Sequence, residues 1–113
     1  MHELGITENI LSIVISHGEK EGATKIVRVS LKFGEMTQLV DECIRFYFDQ
    51  LSEGTIAEGA ELEFEIMPIR VRCSKCGSEK EASDYDFNCP SCGQICVEFI
   101  GGREMEVENI EIE

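Results

Sequence analysis

Cys73-Ser-Lys-Cys76-Gly77 and Cys89-Pro-Ser-Cys92-Gly93 repeat one short pattern, with twelve residues between the two cysteine pairs. Two residues between thiols allow a tight turn that aims both sulfurs at one point. The glycine that follows accepts backbone angles a side chain would resist. Two such knuckles supply four thiolates, a set that suits a tetrahedral zinc ion and leaves no position open for water or substrate. Cys73, Cys76, Cys89 and Cys92 are therefore expected to hold a structural metal, with no role in catalysis.

Other chemistries compete for the same residues. Six cysteines in a short chain could form a disulfide framework, but nothing at the N-terminus resembles a secretory signal, so reduced thiols are expected. Pro90 inside the second knuckle makes the turn resemble the iron-binding turns of rubredoxin, and ligand type alone does not separate iron from zinc. A rubredoxin-like electron carrier and a zinc-ribbon adaptor without other metal chemistry thus stand as alternatives. Cys96, four residues past Cys92, could replace it in a slipped register; the regular pairs are preferred, leaving Cys96 a half-buried free thiol. Cys43, on an apolar helix, is expected to be a small buried hydrophobe without chemistry.

A second donor cluster opens the chain. Met1 contributes an α-amine, His2 an imidazole and a backbone amide, and Glu3 an amide and a carboxylate, all within one chelating reach. Nitrogens on consecutive residues close small rings around a metal, and deprotonated amides impose a square plane that suits nickel(II) or copper(II) better than zinc. In the cytoplasm nickel is the natural candidate. The plainer reading is a solvated, idle terminus. His17, a single helical histidine, reads as a surface or boundary residue.

These two clusters need a scaffold. Leu4, Ile6, Ile10, Ile13, Val14 and His17 recur at three- and four-residue spacing, which predicts an apolar stripe on a helix ended by Gly22. Lys25 to Phe33 alternates, with Val27, Val29, Leu31 and Phe33 on one face and Arg28, Ser30 and Lys32 on the other. Gly34 breaks that strand. Asp41 is placed to cap a second helix with an inner stripe of Ile44, Tyr47, Phe48 and Leu51, stopped by Gly54. Leu62, Phe64 and Ile66 alternate with Glu61, Glu63 and Glu65 in a second strand, and Ile69 to Arg72 leads into the first knuckle. After the second knuckle come Val97 to Ile100, a turn at Gly101-Gly102, and a last strand from Arg103 to Glu113 with Met105 and Val107 inward. Ile110 and Ile112 carry the apolar face on the other parity, which predicts a bulge near Glu108 or Asn109.

The fold class expected is α+β: two helices packed on a three-stranded mixed sheet, with an inserted four-cysteine zinc-ribbon module. A right-handed crossover through the second helix makes the first two strands parallel. The domains expected are 1–68 with 101–113, which would bind nickel, and 69–100, which would bind zinc. Glutamates on the second and last strands would repel if adjacent, so the strand bearing Arg28 and Lys32 is expected between them.

Charge narrows the partners. The formal charge of −13, from 23 acidic and 10 basic residues, argues against phosphate backbones, and Arg70, Arg72, Lys75 and Lys80 are offset by Glu79, Glu81, Asp84 and Asp86. No nucleic acid is expected as a partner. The longest nearly apolar run, Ile10 to Ile15, is far too short to cross a bilayer, so no membrane is expected either and a cytoplasmic protein is anticipated.

Met1-His2-Glu3-Leu4 at the start, Gly34, Phe46-Tyr47-Phe48, Gly54-Thr55, Ala60 with Leu62, the knuckles with Phe87 and Pro90, and Glu104-Met105 together resemble the HypA/HybF family of hydrogenase nickel-incorporation proteins. The resemblance spans essentially the whole chain. It implies a nickel metallochaperone, not an enzyme, that delivers Ni(II) to the [NiFe] hydrogenase large subunit during hydrogenase maturation. It further implies nickel at His2 with Met1 and Glu3 assisting through backbone nitrogens, and zinc at Cys73, Cys76, Cys89 and Cys92. The partners implied are a HypB-type GTPase, the hydrogenase large-subunit precursor and, in some organisms, urease maturation proteins. Some relatives add a histidine donor near the ribbon; here Val97, Glu98 and Phe99 follow Cys96 instead.

Overall fold

A computed structural model describes residues 3–95 and 98–113. The elements are α1 (Glu3–Lys20), β1 (Ile26–Gly34), a 3-10 turn (Glu35–Thr37), α2 (Asp41–Leu51), β2 (Glu61–Met67), β3 (Arg70–Arg72), β4 (Glu79–Glu81), β5 (Glu98–Gly101) and β6 (Met105–Ile112). They fall into two compact units. One comprises Met1–Lys32, Leu39–Glu65 and Glu106–Glu113, the other Phe33–Gln38 and Ile66–Met105.

In the first unit α1 ends where Gly22 was expected to stop it. Gly22 adopts φ +70°, its N–H donates to the Glu19 carbonyl, and the Ala23 N–H reaches the Gly18 carbonyl, so the last carbonyls are satisfied by a left-handed cap. The buried stripe of α1 is rotated from the one expected. Ile6, Thr7, Ile10, Leu11, Val14 and Gly18 are buried, while Leu4, Ile13 and His17 are exposed. Thr7 tolerates burial because its hydroxyl donates to the Glu3 carbonyl at 2.6 Å. Gly18 is buried because a Cβ there would stand 3.0 Å from Ile56 Cδ1 and 3.1 Å from Ile26 Cδ1, so small size at this turn lets α1 lie on the start of β1.

On β1, Val29, Leu31 and Phe33 alternate inward as expected, but Ile26, not Val27, is the fourth buried hydrophobic residue. Val27 is only half-buried. α2 begins at Asp41, one residue earlier than the expected cap allows: Val40 occupies the cap position, and Asp41 and Glu42 lie in the first turn, where negative charge favours the helix dipole. Ile44 and Phe48 are buried, whereas Tyr47 and Leu51 are half-buried. Cys43 is exposed, which corrects its reading as a buried hydrophobe. Arg45 ties α2 to β2, donating to the Leu62 carbonyl at 2.8 Å and lying over the Phe64 ring at 4.7 Å.

The strand order is β2-β1-β6, with β1 central. The charges arrange as expected. Arg28 on β1 meets Glu63 at 3.1 Å and Glu61 at 3.5 Å on one side and Glu111 at 2.7 Å on the other, and Lys32 meets Glu108 at 3.6 Å. β6 runs antiparallel to β1, since Glu113 N–H donates to Lys25 at one end and Gly34 N–H donates to Glu104 at the other. Along β6 the half-buried residues are Val107 and Ile110, three apart, so the inward parity changes between them. Met105 and Ile112 are exposed, as is Ile66 on β2, contrary to the inward placement expected of each.

The second unit is a small antiparallel sheet, β4-β3-β5, pairing Val71 with Lys80 and with Phe99. Its core is Ile69, Val71, Cys73, Ala82 and Cys89, with Met36, Phe87 and Phe99 packed against it. Arg70 and Arg72 lie among Glu79, Glu81 and Glu98. Gly34 does more here than break a strand: a Cβ on it would fall 2.0 Å from the carbonyl carbon and oxygen of Gly102. Next to it, the Glu35 carboxylate accepts from the Ile69 N–H at 2.7 Å and from the Ser83 hydroxyl at 2.6 Å.

Candidate metal centre

Strand β3 carries the chain into the first knuckle, and the two knuckles fold alike. Cys73 N–H donates to the Ser78 carbonyl while its own carbonyl accepts from Gly77; in the second knuckle Cys89 N–H donates to Gln94 and its carbonyl accepts from Gly93. Gly77 and Gly93 both need the left-handed region, at φ +80° and +75°. The repeat read in the sequence is thus a repeat of backbone hydrogen bonds.

The four sulfurs converge, with all ligand atoms within 4.8 Å of one another. Cys73 and Cys92 sulfurs are 3.6 Å apart, and those of Cys76 and Cys89 are 3.5 Å apart. A tetrahedral zinc with bonds of about 2.3 Å separates its sulfurs by about 3.8 Å. The cluster therefore fits a structural zinc site with little adjustment. The first cysteine of each knuckle, Cys73 and Cys89, is buried, and the second, Cys76 and Cys92, is exposed.

Electrostatics of the thiols points the same way. Backbone N–H groups of Cys76 and Lys75 hold the Cys73 thiol below its ordinary value, and those of Cys92 and Ser91 draw Cys89 down to about 6 against the opposing effect of burial. At Cys92 the Gln94 N–H also favours the thiolate, but burial and the neighbouring sulfurs of Cys73, Cys89 and Cys76 outweigh it and push the thiol up to about 12. The crowding of sulfurs thus opposes the Cys92 thiolate. A dication removes the conflict, which is the chemistry expected of a metal cage. Ser78 and Ser91 depart from the repeat and join the knuckles, hydroxyl to hydroxyl, at 3.1 Å, with Ser78 also 3.3 Å from the Cys76 sulfur.

Met1, His2 and Cys96 lie outside the described residues. Glu3 begins α1; its carboxylate accepts from the Val40 N–H at 3.3 Å and its carbonyl from Thr7. Its own N–H belongs to the first helical turn, where no carbonyl of the helix can accept it. His17 is exposed, the surface position expected. Missed from the sequence were the close approach of Gly34 and the role of Glu35, because a glycine after a strand and an acidic residue in a turn are common, and their partners lie far along the chain.

The family model of hydrogenase/urease nickel incorporation metallochaperones, HypA, matches residues 1–112. The chain belongs to the HypA family. Among HypA relatives, the hydrogenase maturation factor HypA of Caldanaerobacter subterraneus subsp. tengcongensis is 40% identical over 114 residues, covering 100% of both chains. That of Methanothermobacter thermautotrophicus is 40% identical over 120 residues, covering 100% of this chain and 98% of the relative. Two solved structures share the fold. A solution structure of HypA protein superposes with TM-score 0.78 at 23% identity, covering 100% of this chain and 97% of that one. The solution structure of the Ni metallochaperone HypA from Helicobacter pylori gives 0.71 at 24%, covering 99% and 97%. The HypA family is one of hydrogenase nickel-incorporation metallochaperones, and the four-cysteine cage is compatible with a structural zinc within it. Among the described residues no helix is long and apolar enough to cross a membrane.

Proposed function

We propose that this chain is a cytoplasmic nickel carrier that delivers Ni(II) to the large subunit of a [NiFe] hydrogenase precursor and catalyses no bond chemistry itself. The observation that carries the reading is the family match from residue 1 to residue 112, which includes both donor clusters. His2 binds the cargo, with Met1 and Glu3 assisting through backbone nitrogens. Two features of Glu3 support this: its carboxylate is committed to Val40, and its first-turn N–H has no helical acceptor. Cys73, Cys76, Cys89 and Cys92 hold zinc that stays. Nitrogen ligands in one short peptide can be displaced one at a time by an acceptor, whereas a closed cage of four sulfurs from two knuckles exchanges slowly.

In this reading 1–68 with 101–113 form the nickel-binding domain and 69–100 the zinc-binding domain. A HypB-type GTPase couples loading to nucleotide state, and urease maturation proteins are a second client machinery; the family description, which names hydrogenase and urease together, supports the second client. The test is transfer. Radioactive nickel on the wild-type chain should move to a hydrogenase large-subunit precursor, while the His2→Ala chain, still zinc-loaded, should transfer none. Equal transfer by both would overturn the proposal.

A further inference from the structure

Strand β6 forms one edge of the sheet β2-β1-β6, so among the described residues one side of its backbone presents N–H and C=O groups without a neighbouring strand. Beside that edge a groove of about 330 Å³ is lined by Ile13, His17 and Glu21 from α1 and the turn after it, and by Val107, Glu108, Asn109 and Ile110 from β6. A helix lying along an open sheet edge is the arrangement in which extended peptides bind by adding a strand, with backbone pairing to the edge and alternate side chains entering the groove. We propose that this groove takes an extended, cationic segment of a partner protein as a fourth strand beside β6.

Apolar and charged residues divide the recognition. Ile13 is 45% exposed on a helix whose other large aliphatic residues from Ile6 to Val14 are buried, so it is left over from the core. Val107 and Ile110 are the half-buried positions of β6 and complete an apolar floor. The rim is acidic, with Glu21 and Glu108 in the groove, Glu106 and Glu111 along the strand and Glu113 just past its end. Arg28 and Lys32 answer Glu111 and Glu108 from the β1 side. A second copy pairing through β6 would set glutamate against glutamate, which is unfavourable across a strand pair. A segment alternating aliphatic residues with lysine or arginine meets both the floor and the rim. None of these residues belongs to the cysteine cage, and the surface needs no nickel.

Isotope-labelled, zinc-loaded full chain is titrated with a short peptide alternating valine and lysine, and with an isomer of the same composition in which the lysines are grouped. The alternating peptide should bind about tenfold tighter. It should shift the amides of Val107 to Ile110 and slow their hydrogen exchange. Ile13→Lys should abolish the preference, and Glu21→Lys, at an exposed site beyond α1, should weaken binding even if the first variant folds poorly. Equal affinity for the two peptides, or shifts scattered over the acidic surface, would overturn the proposal. So would self-association through β6 in sedimentation. Since no nickel enters the titration, failure here leaves the carrier reading intact, and failure of nickel transfer leaves this one intact.

Discussion

A single hydrogen atom on Gly34 separates this fold from a collision. Its Cα faces the Gly102 carbonyl, and the atoms a Cβ would strike are backbone, which cannot swing aside as a side chain can. Gly34→Ala should therefore cost about 3 kcal/mol or more, at or beyond the upper end of ordinary overpacking. Urea unfolding of the zinc-loaded protein measures this, and a loss below about 1 kcal/mol would contradict the close approach. The neighbouring Glu35 yields a pH test. Its carboxyl is held below the ordinary range, first by the Ser83 hydroxyl and then by the Ile69 N–H. A depressed carboxylate stabilises fully above its unfolded value, about 4.3, and that contribution is lost as pH falls through its lower folded value. Glu35→Gln should be less stable than wild type at neutral pH, with the gap closing in acid. A gap that widened on acidification would mean the carboxylate is not what holds Ile69 and Ser83.

At the level of elements, the chain was most readable where one interaction dominated. The alternation of β1 was legible because Arg28 and Lys32 interrupt an otherwise apolar run, and the same two charges placed it between glutamate-bearing strands. The knuckles were legible because their spacing is the spacing of their backbone hydrogen bonds. The stripe of α1 was not. Hydrophobicity favoured Leu4 and Ile13 over Thr7 and Gly18, yet Thr7 hides its hydroxyl on its own helix and Gly18 wins by being small. The rotation of the stripe away from Ile13 is what leaves that residue lining the groove beside β6. Likewise Ile26 replaced Val27 in the core because it sits under α1, a tertiary fact that alternation cannot carry. The small sheet β4-β3-β5 has its own dependence. With five core residues, two of them cysteines, it buries too little apolar surface to persist once its metal is gone. Removing zinc with a chelator should erase hydrogen-exchange protection across β3, β4 and β5 while amides of α1 keep theirs. Retained protection in β3 would show that the sheet does not lean on the metal.

For the molecule as a whole, the proposed function assigns two donor sets of opposite character. The cage of Cys73, Cys76, Cys89 and Cys92 is made by two turns and a strand, so it belongs to the folded core. In the proposed reading the second set is the nitrogens of Met1, His2 and Glu3; of these, Glu3 opens α1, its carboxylate accepts from the Val40 N–H, and its own N–H lies in the first helical turn, where no helix carbonyl can accept it. We propose that division of labour: one metal kept for structure, one carried for delivery. Its most direct test is elemental analysis with nickel titration of the untagged chain and of His2→Ala. Both should contain one zinc per chain, wild type should bind nickel stoichiometrically, and the variant should bind none with its fold unchanged. Undiminished nickel binding by His2→Ala would contradict the account.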